Sequence, residues 1–209
     1  MNPPSLTRIL LVDDHFMVRL GLSAVLSREP DLEVVGQAAN GKEALELFDR
    51  LRPDVVLMDG VLPDMHGFEV VRLLLSRHPY ARVLMLSVND TEEDIHQAVE
   101  AGARGYMPKS SEEDETILAI RRVAAGHEFL PPEVARKLAV RKLHSALSER
   151  ELAVLRLAAE GRTNKEIAAA LGLGGASVKT YLARIFTKLG ATDRTQAVSI
   201  ARDRGILRR

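Results

Sequence analysis

Residues 54–69 read DVVLMDGVLPDMHGFE. An apolar run ends at Asp59, the chain turns through Gly60, Pro63 and Gly67, and FEVVRLLLSRH (68–78) then continues at helical spacing. A short valine-rich run, a glycine- and proline-marked turn and an amphipathic segment make a strand–loop–helix unit. Residue type alone leaves four readings for the acid at the strand's end: loop cap, metal ligand, general acid or nucleophile.

The same unit recurs on both sides. RILLV (8–12) stops at Asp13-Asp14 and leads into MVRLGLSAVL (17–26), where Val18, Leu22, Val25 and Leu26 share a face. EVVGQA leads to GKEALELFDRL, RVLMLS to EEDIHQAVEAG, and GYM to ETILAIRRVAAG. Five such units in about 120 residues predict an α/β domain, a five-stranded parallel sheet with helices on both faces. Residues 126–146, with Pro131-Pro132 and the basic stretch RKLAVRKLH, read as a linker that has room for a short helix.

From Leu147 the pattern becomes purely helical. LSERELAVLRLAAEG opens on the capping box Ser148–Glu151, TNKEIAAALG opens on Thr163–Glu166, and both stop at glycine. Two further helices, SVKTYLARIFTKLG and DRTQAVSIARDRG, complete a four-helix bundle, whose second and third helices suit a helix-turn-helix. Two domains are therefore expected, 6–125 and 147–209.

Charge divides the chain in the same way. Among 209 residues, 29 are basic and 29 acidic, but residues 1–125 hold 13 basic against 21 acidic, and residues 145–209 hold 12 against 6. An acidic first domain and a basic second one suit a polyanionic partner for the second. There is no cysteine, so disulfide and thiolate chemistry are excluded. Without an apolar leader or an 18-residue apolar run, the chain is expected to be soluble and cytoplasmic, with no membrane partner.

Ligands of parallel α/β sheets bind at the carboxyl ends of the strands. Those ends carry Asp13-Asp14, Asp59, Ser87 and Lys109 in order. Like charges at one rim repel by about 4 kcal/mol per close pair at an effective dielectric near 20. A hard divalent cation relieves this, and a lysine and a hydroxyl complete a set able to place a phosphoryl group on a carboxylate.

On the motifs LLVDDH, DVVLMDGVLPDMHGFE, VLMLS and AGARGYMPKS, residues 8–125 resemble a CheY-like receiver domain of two-component response regulators, a flavodoxin-like fold. The resemblance implies that Asp59 accepts a phosphoryl group from a sensor histidine kinase. It implies Mg²⁺ on Asp14, Asp59 and the main-chain carbonyl of Val61, with Asp13 acting through water. Ser87 and Lys109 would contact the phosphoryl group, and Tyr106 would report it. Gly60 departs from the family's usual larger aliphatic residue and is expected to loosen the loop that carries Val61. Leu62 replaces a frequent Met, and Pro108 a frequent aliphatic residue.

The tetrapeptide DGVL also resembles haloacid-dehalogenase phosphatases, which use D-x-D-G-x-L. That alignment puts the nucleophile at position 57, which is Leu. The chain is therefore read as a regulator and not as an enzyme. A receiver that binds its partners without phosphorylation is the other competing reading, and the intact acidic set argues against it.

On LSERELAVLRLAAEGRTNKEIAAALGL and SVKTYLARIFTKLGATDRTQAV, residues 147–205 resemble the LuxR-type helix-turn-helix of NarL/FixJ response regulators. In the third helix Val178, Leu182, Ile185 and Leu189 form an inward stripe. Lys179, Thr180, Ala183 and Arg184, with Thr187 opposite the stripe and Lys188 beside it, would face the major groove. Ser177 joins this set in the helix's first turn, and Thr163, Asn164 and Lys165 would position the DNA backbone. Gly174-Gly175 replace the usual Ser cap, Tyr181 a common His, and Ala183 a basic residue of some relatives. The fourth helix implies a homodimer on DNA, although Ala197, Ile200 and Ala201 suit core packing equally well.

Overall fold

The computed structural model describes residues 6–88, 91–143 and 147–207. The end of the expected linker, 144–146, and the last two residues of the expected second domain lie outside these. Five strands, β1 (Thr7–Val12), β2 (Leu32–Ala38), β3 (Val55–Asp59), β4 (Val83–Ser87) and β5 (Gly105–Pro108), form one sheet in the order β2-β1-β3-β4-β5. All four pairings are parallel. The intervening helices are α1 (Phe16–Leu26), α2 (Gly41–Leu51), α3 (Gly67–Arg77), α4 (Glu92–Glu100) and α5 (Glu113–Ala124).

Both faces of the sheet are covered, which is why its central strands read as unbroken apolar runs. Ile9, Leu11, Val55, Leu57, Leu84 and Leu86 pack with Leu26 of α1 and Ile117, Ile120 and Val123 of α5. Leu10, Val12, Val56, Met58 and Met85, alternating with them, are buried as well. Leu57 is only 1 % exposed and belongs to this core, so position 57 presents a hydrocarbon to hydrocarbon and not a group to the rim.

The segment after α5 contributes to the sheet's edge. Phe129 bridges Gly105 in parallel, Tyr106 N donates to Phe129 O at 3.1 Å, and Phe129 N donates to Arg104 O at 3.0 Å. The short helix allowed for in the linker is α6 (Pro132–Leu143), with Pro131, Val134 and Leu138 buried. The chain divides into two compact units, and the break falls between Lys137 and Leu138 within that helix.

The second unit holds α7 (Glu149–Ala159), α8 (Asn164–Leu171), α9 (Gly175–Leu189) and α10 (Arg194–Asp203). Both capping boxes form: Ser148 pairs with Glu151 and Thr163 with Glu166. α8 and α9 end on Gly172 and Gly190 in left-handed conformation, with φ of 62° and 70°, a geometry that costs glycine little. Val178, Leu182, Ile185 and Leu189 are buried against Val154, Leu155, Ile167, Ala197 and Ala201. Each large aliphatic side chain buried there contributes roughly 1.5–3 kcal/mol. Because Ala197 and Ala201 are fully enclosed in their own domain, they offer no surface to a second copy.

Candidate functional site: an acidic rim and a basic recognition face

Parallel strands leave the sheet on one side, so the residues that follow β1, β3, β4 and β5 meet at one rim. Asp13 and Asp59 are buried there, at 3 % and 4 % exposure. Lys109 Nζ lies 2.5 Å from Asp13 Oδ2 and 2.9 Å from Asp59 Oδ2. Lys109 N in turn donates to Ser87 O at 2.8 Å, which ties the loop after β5 to the end of β4. Asp13 Oδ1 accepts from His15 N at 2.9 Å, and Val61 N donates weakly to Asp59 Oδ1 at 3.4 Å.

The one ammonium, shared with Asp13, does not fully offset the desolvation of Asp59. Burial pushes Asp59 above the ordinary carboxylate value, helped by the Asp13 charge, while Lys109 opposes the rise. For Lys109 itself burial favours the neutral amine, but the two carboxylates outweigh this and raise its pKa.

Asp14 is more exposed and turns toward His15, whose Nδ1 lies 2.6 Å from Asp14 Oδ1. Asp13, Asp14, His15 and Asp59 each place one ligand atom within 4.8 Å of the others. The three carboxylates of this set, Asp13, Asp14 and Asp59, have the charge and donor type that suit a hard divalent cation. His15 was not singled out among the sequence candidates. Its place directly after the two aspartates is the signal that could have found it.

Ser87 is buried at the end of β4. With Gly60, Val61, His66, Asp94, Ala98 and Tyr106 it lines a small cavity of about 20 Å³. Tyr106 is 1 % exposed, wholly inside. Gly60, expected to loosen its loop, is bonded through both its amide and its carbonyl: Gly60 N donates to Leu86 O at 3.1 Å, and Gly67 N donates to Gly60 O at 3.0 Å. Gly67 is required by space alone, since a Cβ there would fall 2.0 Å from Asp59 O.

In the helical unit Ser177, Lys179, Thr180, Ala183, Arg184 and Thr187 are exposed on α9. Gly174 caps this helix without a side-chain bond. Lys188 differs from the rest, because its Nζ lies 2.7 Å from Glu151 Oε2, a buried carboxylate of α7. Thr163 N and Oγ1 both donate to Glu166, Lys165 is exposed, and Asn164 is half-buried. Arg194 is a further structural residue, donating to Ala158 O at 2.8 Å.

Comparison with known proteins agrees with this geometry. Residues 9–121 match the family described as response regulator receiver domain, and residues 145–201 match bacterial regulatory proteins of the luxR family. The chain is a response regulator of the NarL/FixJ type. Over 199 residues the regulator is 39 % identical to the response regulator protein VraR of Staphylococcus aureus, covering 93 % of this chain and 95 % of that one. It resembles the crystal structure of the response regulator ChrA of a heme-sensing two-component system, at 36 % identity and a TM-score of 0.58, with 97 % and 100 % coverage. Salmonella typhimurium RcsB, at 22 % identity and a TM-score of 0.76 over 92 % and 98 % of the chains, shares the fold. Among the described residues no helix is long and apolar enough to cross a membrane.

Proposed function

We propose that this regulator accepts a phosphoryl group on Asp59 from a sensor histidine kinase and responds by binding paired DNA sites as a dimer in the cytoplasm. The observation that carries the reading is the Lys109 ammonium held between Asp13 and Asp59 at the carboxyl end of the sheet. In the transfer an Asp59 Oδ attacks phosphorus, the phosphorus–nitrogen bond of the kinase phosphohistidine breaks, and its electron pair returns to the imidazole. Lys109 meets the charge on the incoming phosphoryl oxygens, and the Ser87 hydroxyl donates to another of them. Asp13, Asp14 and Asp59 with the Val61 carbonyl would hold Mg²⁺, Asp13 through water; when bound, the cation neutralises the phosphoryl charge.

The buried Ser87–Tyr106 cavity is the route by which occupancy at Asp59 reaches the face of α4 and β5. Shifting a 1:99 equilibrium to 99:1 needs about 5.5 kcal/mol. Dimerisation on DNA supplies part of that. On α9 the exposed Lys179 and Arg184 supply phosphate or guanine contacts, Ser177, Thr180 and Ala183 line the groove-facing side, and Thr163, Asn164 and Lys165 orient α8 on the backbone.

Incubation with acetyl phosphate and Mg²⁺ tests the site. Intact-mass measurement should show one added phosphoryl group with release of acetate, absent in Asp59→Asn. Persistence of the adduct in that variant would move the acceptor elsewhere.

A further inference from the structure

The loop between β3 and α3 has little regular structure, yet it is fastened at both ends and at its tip. Val61 and His66 form an antiparallel bridge, and Leu62 N donates to Met65 O at 3.3 Å. At the tip the Asp64 carboxylate accepts from Gly41 N at 2.8 Å and from Lys42 N at 2.9 Å, one oxygen to each. These are the first two amides of α2, a different element from the one the loop precedes.

α2 does not depend on Asp64 for its ordinary cap. Asn40 Oδ1 accepts from Glu43 N at 2.9 Å, and Glu43 Oε2 accepts from Ala39 N at 2.7 Å. Asp64 takes the two amides those side chains leave, and a carboxylate there also meets the positive end of the helix dipole. The contact is close: a Cβ on Gly41 would fall 2.8 Å from both Met65 Cγ and Val70 Cγ2. Burial pushes the Asp64 carboxyl up, but the amide donors outweigh it and leave it below the ordinary carboxylate range.

We propose that Asp64 is a positioning residue for the phosphorylation site, clamping the loop tip to α2 so that the Val61 main chain stays where a metal ion needs its carbonyl. The inference rests on the metal-dependent reading of Asp59 above. The clamp restrains the segment at its tip, while the hydrogen bonds of Gly60 N to Leu86 O and of Gly67 N to Gly60 O fasten its base beside Asp59. Asp64 is exposed and does not touch the rim, so its effect passes through the loop backbone.

The test is an amide chemical-shift titration of the full chain with Mg²⁺ alone, for Asp64→Ala, Asp64→Asn and Asn40→Ala. Loss of a supporting residue around a metal site commonly weakens affinity 10- to 100-fold. Asp64→Ala should weaken Mg²⁺ binding by about tenfold, with Asp64→Asn between it and wild type. At saturating Mg²⁺ the acetyl phosphate reaction of Asp64→Ala should recover the wild-type rate. Asn40→Ala removes a cap of the same helix without touching the loop, so it should lower thermal stability and leave Mg²⁺ affinity unchanged. Unchanged affinity in Asp64→Ala, or equal weakening in Asn40→Ala, overturns the positioning role. A wild-type chain that shows no Mg²⁺ shifts at the rim overturns the metal reading itself, and the inference with it.

Discussion

A Cβ added at Gly60 would lie 3.0 Å from Ser87 Oγ and 3.4 Å from Ser87 Cβ. The residue after the proposed acceptor Asp59 therefore sits directly against the hydroxyl proposed to contact the phosphoryl group. The missing side chain leaves that approach open.

Filling the space should exclude water from phosphorus. Gly60→Val is expected to lengthen the life of phospho-Asp59 on the order of tenfold, equivalent to about 1.4 kcal/mol on the hydrolytic barrier. Decay of radiolabel from the acetyl phosphate-treated protein measures it. Faster decay would mean that displacing Ser87 outweighs the shielding.

Lys109 is the counter-charge for two buried acids. Lys109→Met leaves them facing each other without a cation, at a cost of about 1–3 kcal/mol. The melting temperature at pH 7 should fall, and added Mg²⁺ should raise it more in the variant than in wild type. Calorimetry with and without Mg²⁺ gives the comparison.

The two lysines of α9 should behave differently. Lys179→Ala removes an exposed charge and should weaken DNA binding across all sequences, lowering the salt slope by about one. Lys188→Met instead breaks the pair with buried Glu151 and should lower the stability of the helical domain while leaving that slope nearly intact. Fluorescence anisotropy on labelled duplex DNA at several salt concentrations separates them.

Glu151 also sets an acid limit. Burial raises its pKa, but Lys188 and the backbone and hydroxyl donors of Ser148 outweigh this and hold it below the ordinary glutamate value. A depressed carboxylate contributes stability that is complete above its unfolded pKa and is lost as pH falls through the folded one. The helical domain should therefore lose stability below about pH 4.5, and Glu151→Gln should flatten that part of the profile. Thermal melts of the full chain at stepped pH, read on α7 amide signals, provide the check.

Much of the regulator is written in local pattern. The strand–helix alternation, the stops at Gly172 and Gly190, both capping boxes and the inward stripe from Val178 to Leu189 depend on spacings of a few residues, so the sequence displays them directly. The order of acids, serine and lysine at successive strand ends identifies a rim as soon as a parallel sheet is inferred. Leu57, standing where that family has its nucleophile, likewise argues against the phosphatase reading from the sequence alone.

Other features rest on residues far apart in the chain. That Lys109 bridges Asp13 and Asp59, that Lys188 is paired to Glu151, that Phe129 extends the edge of β5, and that Asp64 holds the first amides of α2 all follow from packing across 22 to 96 positions. Periodicity reports which face of an element is apolar, but not which distant polar group will meet it. Ala197 and Ala201 show the same limit: helical spacing put them on a packing face, and only the assembled bundle decided that this face is the domain's own core.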